Sequence, residues 1–546
     1  MRTYFKKISD FLSSFSSVGI LFASITFTWS LTPSLLPRTW VIQGVVSGLA
    51  TGAGYNIGWI VQRLWQIFFR EKFSALRKKL LYRGTTPDSA LVLERKTKAE
   101  RNIRIIRRVM LTLLLLWMFA GQFMFLRWQA EVAKSVEMPS PQLRDFLPAL
   151  PLSICFFFGA VFFVRALVNI VRWIAWLFPT HFRRTTRLVA AVLVFLLSLG
   201  YVVENIVPGT AMNLAEAVFR TQNLSPDKSL SAPTIPERSG SPESNIDWDG
   251  VGFEGSKFLT SGASAAQLTK ITNKPASEPI RIYAGLENAP TPKEQVDLLI
   301  AELERTKASD REAILLIMTT GTGWVPSYSA QAFELLYQGN TAVVAMQYSV
   351  VPSAVHFVQG GTEVAQAGKD FIEPIVAWLS QYPQAERPKV FLYGESLGTT
   401  GIEGAFEAAD FTENKKLGVD GILLTGAPYF NQLRQYFTLN RDAGSTELHP
   451  DFARGKVVRF ANSLSEVHGL VHLSRQDWGS ERVLYLQNPS DPVAWWSPTM
   501  AWVRPQWIID AAPYHAMTWF PVVSNLQMLA DMPGSKNVPR GYGHNY

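Results

Sequence analysis

A single cysteine, Cys155, stands among 546 residues. No disulfide can close within the chain, and no thiol pair exists for zinc binding or redox exchange. The one cysteine and seven histidines form no Cys/His cluster with zinc spacing, so no metal and no cofactor is expected. No glycine-rich loop carries the Lys-Ser/Thr that a phosphate cradle needs. Basic excess is missing from most of the chain. Residues 1–210 hold 26 Lys+Arg against 9 Asp+Glu, and the remainder holds 26 against 35. The basic pI is therefore not a nucleic-acid footprint. It belongs to the first 210 residues, where basic loops orient membrane helices. Long apolar runs are absent beyond that point.

Before it they are crowded. Five stretches, 17–36, 41–62, 109–126, 148–170 and 187–207, each approach the roughly 20 apolar residues that span a bilayer. The first is too long for a signal peptide and no A-x-A-like site follows it. Basic residues cluster in 70–108 and 165–187, while the first hairpin holds only Arg38 and 127–147 is balanced. This alternation predicts a cytoplasmic N-terminus and an extracytoplasmic segment after 207. Gly44, Gly48 and Gly52 share one helix face. Small residues at that spacing let helices approach closely, within the bundle or by self-association.

Residues 211–250 are expected as a linker, since the Ser, Pro and acid of 221–250 cannot build a core. From 251 to 546 short apolar strands alternate with amphipathic helices, as in "AILLIMTT", "TAVVAMQYS" and "VDGILLTGAP". That pattern predicts βαβ units and a mostly parallel sheet with helices on both faces. The expected architecture is thus a five-span helical membrane domain (1–210), a linker (211–250) and an α/β catalytic domain (251–546).

Within that domain "KVFLYGESLGTTG" places Ser396 between an apolar strand and a helix. Glycines on both sides permit the sharp turn that lifts a serine hydroxyl above a sheet edge. A serine needs a base, and on such an elbow an acid and then a histidine follow in chain order. Asp491 ends the strand-like "RVLYLQNPSD"; Asp477 and Asp510 lack so clear a strand before them. After Asp491 only His515 and His544 remain. His515 heads an apolar helix, whereas His544 lies in the glycine-flanked "GYGHNY", so His544 is the preferred base. The amide of Leu397 supplies one oxyanion donor. "TTGTGWV" follows an earlier strand and offers the second through Thr322, flanked by Gly321 and Gly323. Trp324, Trp495 and Trp496 are candidates for an apolar substrate pocket, with Trp502, Trp507, Met517, Trp519 and Phe520 further on.

"TTGTGWV", "VVAMQYS", "YGESLG", "RFAN", "YLQNPSDPVAWWSP", "WFPVV" and the terminal "GHNY" resemble the bacterial membrane-anchored α/β-hydrolase family. In that family a multi-span N-terminal region precedes a catalytic domain. The likeness extends to "PSLLPR" (33–38) and the glycine-rich second span, and covers most of the chain outside the linker and 70–108. It implies the fold and the serine nucleophile more firmly than any substrate. A membrane anchor suits a lipid or envelope ester as substrate. The expected activity is an extracytoplasmic serine esterase, lipase or acyltransferase in the bacterial inner membrane. The opposing reading is a non-catalytic membrane scaffold with a hydrolase-like fold.

Overall fold

The computed structural model describes residues 15–81, 90–412, 418–472, 478, 482–510 and 516–546. Asp477 and His515 lie outside the described residues. The chain forms two compact units that do not follow chain order. One takes everything up to Phe195 together with Pro498–Pro539; the other takes Leu196–Ser497 and Arg540–Tyr546.

The first unit is helical, with α1 (Ser17–Ser30), α2 (Trp40–Leu81), α3 (Ala90–Ser135), α4 (Ala149–Leu177) and the start of α5 (Arg184–Tyr201). The expectation of a five-span membrane bundle is corrected here. Among the described residues only two helices, Leu143–Leu177 and Arg184–Ile206, are long and apolar enough to cross a membrane. The 14 residues of α1 extend about 21 Å at 1.5 Å per residue, short of the ~30 Å hydrocarbon layer. α2 interrupts its apolar run with Gln43, Ser47, Thr51 and Asn56. Gln43 Nε2 donates to Ser47 Oγ at 2.7 Å, and Asn56 Nδ2 to the Gly52 carbonyl at 2.9 Å. These groups make α2 a packed polar–apolar helix. α3 carries much of its length as the basic run before Arg108. The molecule is a mixed α/β fold, not a five-span bundle with an appended domain. The glycine face of α2 is taken up inside the chain. A Cβ on Gly44 would lie 2.9 Å from Leu152, on Gly48 2.5 Å from Phe156 Cβ, and on Gly52 2.5 Å from Ala160 Cβ. All three neighbours are on α4, so this face serves helix packing within the unit.

The second unit opens with α6 (Val207–Asn223) and is built on seven parallel strands: β1 (Ile280–Ala284), β2 (Ala313–Met318), β3 (Thr341–Met346), β4 (Lys389–Glu395), β5 (Gly421–Thr425), β6 (Val458–Ala461) and β7 (Arg482–Leu486). Their order in the sheet is β1-β3-β2-β4-β5-β7-β6, every pair parallel. All residues of β1, β2 and β3 are buried, as required of a parallel sheet covered on both faces. Right-handed crossovers place α7 (Pro292–Arg305) and α9 (Thr362–Leu379) on one face and α8 (Ser327–Leu336) on the other. α7 and α9 pack on each other accordingly. In register Met318 pairs with Met346 and Gly394, Glu395 with Thr425, and Thr425 with Leu486. The carboxyl ends of five strands are therefore level, and the loops that follow them share one edge.

The stretch expected as a mobile tether is part of this unit. Arg281 on β1 donates its amide to the Glu237 carbonyl at 3.0 Å, and Ser239 returns an amide to Arg281 at 3.1 Å. The Arg238 guanidinium reaches the Leu259 and Ser261 carbonyls at 2.7 and 2.6 Å. Buried Glu302 on α7 accepts the Asn245 amide at 2.7 Å and Ser244 Oγ at 2.9 Å. A Ser/Pro-rich segment thus gains order from strand-like pairing along β1.

Candidate active site

β4 delivers Ser396 to the level edge. Its φ of 56° and ψ of −124° lie where non-glycine residues are rarely held without a functional reason. The turn depends on its glycines. A Cβ on Gly394 would lie 2.6 Å from the Gly398 carbonyl carbon, and one on Gly398 2.4 Å from the Met318 carbonyl oxygen. The Ser396 amide donates to the Thr425 carbonyl at 2.9 Å, pinning the elbow to β5. α10 (Leu397–Gly404) starts at the next residue, so the Leu397 amide is the first of a helix N-terminus and has no intrahelical acceptor.

β7 delivers Asp491, which is wholly buried. Its Oδ1 accepts the Val493 amide at 2.8 Å; its Oδ2 lies 2.7 Å from His544 Nδ1. A carboxylate only accepts, so Nδ1 carries the proton and Nε2 is left as the acceptor. Nε2 is buried and has no hydrogen-bond partner among the described residues. The imidazole lies against Gly426, where a Cβ would come within 2.9 Å of Cε1. Gly426 follows Thr425, whose carbonyl takes the Ser396 amide. Ser396 is 8% exposed and His544 3%, so both are largely shielded from solvent.

The tail carrying His544 is fastened to the acid loop. Asn488 Nδ2 donates to the Gly543 carbonyl at 2.9 Å, and the Gly543 amide to Ser490 Oγ at 2.8 Å. Tyr546, which the sequence reading missed, donates its hydroxyl to Asp491 Oδ2 at 2.8 Å and accepts the Asn488 amide at 3.0 Å. Burial, reinforced by the Asp491 charge, pushes the Tyr546 phenol well above its ordinary range. It therefore remains a donor. Only its place two residues past His544 hinted at this.

Glu395 was also missed. It is 2% exposed and takes hydroxyls from Tyr328 and, at 3.2 Å, from Tyr393. Burial first, then the Glu395 charge, raises both phenols. The signal was the Tyr393-x-Glu395 spacing, which puts both side chains on one face of β4.

In the loop after β2, the Thr320 amide donates to the Trp324 carbonyl at 3.3 Å and the Gly323 amide to the Thr320 carbonyl at 2.7 Å. Gly323 thus shapes the turn, with a φ of 89°, and its amide is not a donor for an oxyanion. The Gly321 and Thr322 amides remain. The turn is held from below: Tyr283 donates to the Gly323 carbonyl at 2.8 Å and Gln347 Nε2 to the Thr322 carbonyl at 3.1 Å.

The tryptophans divide. Trp495 is buried, donates Nε1 to the Asn488 carbonyl at 2.9 Å and lies under the Arg434 guanidinium at 4.8 Å. It supports the acid loop rather than lining a pocket. Trp496 meets Phe357 and Tyr429, at 5.8 and 5.4 Å between ring centroids, so side chains from the loops after β3, β5 and β7 converge. Trp324 is half-buried at the end of its turn. Trp502, Trp507, Met517, Trp519 and Phe520 belong to the helical unit. Among the described residues no group of three His, Cys, Asp or Glu could hold a metal ion.

Residues 280–546 match an alpha/beta-hydrolase family, and residues 31–263 match the N-terminus of an alpha/beta-hydrolase family. No curated protein and no solved structure matches the chain.

Proposed function

From the premise that the chain belongs to this alpha/beta-hydrolase family, we propose that it is a serine hydrolase with Ser396, His544 and Asp491 as its triad. The observation that carries this is the 2.7 Å contact of His544 Nδ1 with Asp491 Oδ2, taken with a serine held at positive φ. His544 Nε2 takes the Ser396 proton as Oγ attacks an ester carbonyl, and later returns it to the leaving alcohol. Asp491 orients the ring and stabilises its charged form. The amides of Leu397, Gly321 and Thr322 receive the oxyanion. An acyl-serine forms as the alcohol leaves, and an incoming water or a second alcohol releases the acyl group.

The near-exclusion of Ser396 and His544 from solvent favours transfer to a second alcohol as an alternative to hydrolysis. Trp496, Phe357 and Tyr429 suit an apolar acyl chain. The substrate we favour is a lipid or envelope ester, because α4 and the Arg184–Ile206 helix expose apolar side chains such as Phe163, Trp176, Leu193 and Leu197 to their surroundings. Such a surface is matched by lipid. The loop between the two helices and the first turn of the second carry Arg183, Arg184 and Arg187 with no acid. Because basic loops stay cytoplasmic, this supports reading the residues after Ile206 as extracytoplasmic, on the far side of a bacterial inner membrane.

The test is covalent labelling by a fluorophosphonate, with lipid analysis of cells carrying Ser396→Ala. Labelling lost in folded Ser396→Ala and an ester lipid altered in those cells are expected. Undiminished labelling of Ser396→Ala removes the nucleophile assignment. A C-terminal reporter active only in the cytoplasm removes the orientation.

A further inference from the structure

The residue before the nucleophile is a buried carboxylate that the proposed chemistry leaves unused. Glu395 is 2% exposed and belongs, like every residue named below, to the sheet-bearing unit. Its Oε2 accepts the Tyr328 hydroxyl and, at 3.2 Å, the Tyr393 hydroxyl. Tyr393 Oη also lies 3.2 Å from Thr425 Oγ1, which donates to the Gly394 carbonyl at 3.3 Å. The Thr425 carbonyl takes the Ser396 amide at 2.9 Å. The carboxylate therefore sits in one buried cluster with the groups that hold Gly394 and Ser396.

Tyr328 reaches this cluster from another part of the site. It lies in the first turn of α8, four residues past Trp324, whose carbonyl accepts the Thr320 amide at 3.3 Å and closes the oxyanion turn. Two supports of that turn, Tyr283 on β1 and Gln347 just after β3, stand on one side of β2. The nucleophile's strand, β4, stands on the other. The Tyr328 phenol crosses to that side. A hydrogen bond to a charged acceptor is among the stronger ones, and a buried acceptor deprived of its donor is costly, so the Tyr328–Glu395 contact is a firm link. The chemistry needs one. The oxyanion amides must meet an oxygen bonded to the very carbon that Ser396 attacks, and the spacing of turn and elbow has little tolerance.

We propose that Tyr328, acting through Glu395, is a positioning residue that sets the spacing between the nucleophile and the oxyanion amides of the turn. The proposal rests on Ser396 being the nucleophile. It gives Glu395 an architectural part, in which the carboxylate moves no proton and contacts no substrate.

The experiment measures kcat and KM of the full-length protein in detergent micelles on a soluble p-nitrophenyl ester, with thermal melting as the check on folding. Tyr328→Phe removes one oxygen and adds no bulk. It is expected to lower kcat roughly 10- to 10²-fold with KM little changed, the scale of a small misplacement of catalytic groups. Glu395→Gln keeps an oxygen that accepts both phenols and is expected to lose less than Glu395→Ala. Tyr328→Phe combined with Glu395→Ala should be no slower than Glu395→Ala alone, since both cut the same link. A folded Tyr328→Phe with the kcat of wild type overturns the proposal. So does a rise in KM at constant kcat, or a double variant in which the two losses multiply. Glu395→Gln as slow as Glu395→Ala also overturns it, because the charge and not the link would then be at work. Should Glu395→Ala fail to accumulate, Tyr328→Phe alone decides. Unchanged turnover in Ser396→Ala removes instead the nucleophile on which the proposal stands, whatever Tyr328 does.

Discussion

Tyr546 and His544 share one oxygen of Asp491: the phenol donates to Oδ2 at 2.8 Å and the imidazole at 2.7 Å. Tyr546 thus completes the hydrogen-bond environment of Asp491. Hydrogen bonds to a charged group are worth about 1.5–3 kcal/mol. Tyr546→Phe keeps the ring but removes that donor and leaves the Asn488 amide without its acceptor. Labelling is expected to fall by roughly 10- to 100-fold, the rate equivalent of that energy, in a protein that melts close to wild type. Faster labelling would mean that the phenol weakens the hold of Asp491 on the ring instead of fixing it.

The tail gives a second prediction. Truncation after Gly543 removes His544 and Tyr546 together. The proposed triad would act as one unit, so the truncated chain, His544→Ala and Ser396→Ala are expected to be equally inactive, each losing several orders of magnitude of turnover. Combining Ser396→Ala with the truncation should add no further loss. Turnover near wild type in the truncated chain would return the base to another histidine.

The elbow was legible because its determinants are local: an apolar run, two glycines and a helix start within a few residues of Ser396. Asp491 was legible for the same reason, at the end of a strand. His544 came from chain order and elimination, and its partner distance needed the fold. Tyr546 was hidden because its partners, Asp491 and Asn488, are brought in by the fold; Glu395 left only the Tyr393-x-Glu395 spacing as a signal, since Tyr328 arrives from α8. The five-span expectation failed in α2, where a hydropathy run does not reveal that Gly44, Gly48 and Gly52 face α4. The excursion 498–539 was hidden because its Trp and Met residues read equally well as pocket, lipid interface or core.

His356 carries a pH prediction. It is 2% exposed, its Nε2 3.0 Å from Ser349 Oγ and its Nδ1 3.8 Å from Glu363. Burial lowers its pKa below the ordinary 6.5, with the Glu363 charge opposing in part. The unfolded chain therefore binds the proton more readily than the folded one. The sign follows: this stability is present above about pH 6.5 and is lost as pH falls through the lower, folded value. Thermal melting from pH 7.5 downward should show a decline below that point that is shallower in His356→Gln. Identical slopes in the two proteins would assign the acid sensitivity elsewhere.

The oxyanion turn gives the most local test. Gly323 sits at φ 89°, and a Cβ there would lie 2.4 Å from Tyr283 Oη and 2.8 Å from Gln347 Cγ. Those are the two groups that hold the turn, one on the Gly323 carbonyl and one on the Thr322 carbonyl. Gly323→Ala must displace them or move the turn, and either shifts the Gly321 and Thr322 amides. In the proposed mechanism these donors meet the oxygen only when it becomes an oxyanion, so the loss belongs to the transition state. Removing one such donor costs about 10²–10³-fold in kcat. On a soluble p-nitrophenyl ester, Gly323→Ala is expected to lower kcat on that scale with KM little changed, while Ser396 still carries the acyl group it receives. Gln347→Ala should follow in the same direction with a smaller loss, since it removes one support and adds no strain. A rise in KM at constant kcat would instead make this turn a wall of the binding site, with its amides playing no part in the chemistry.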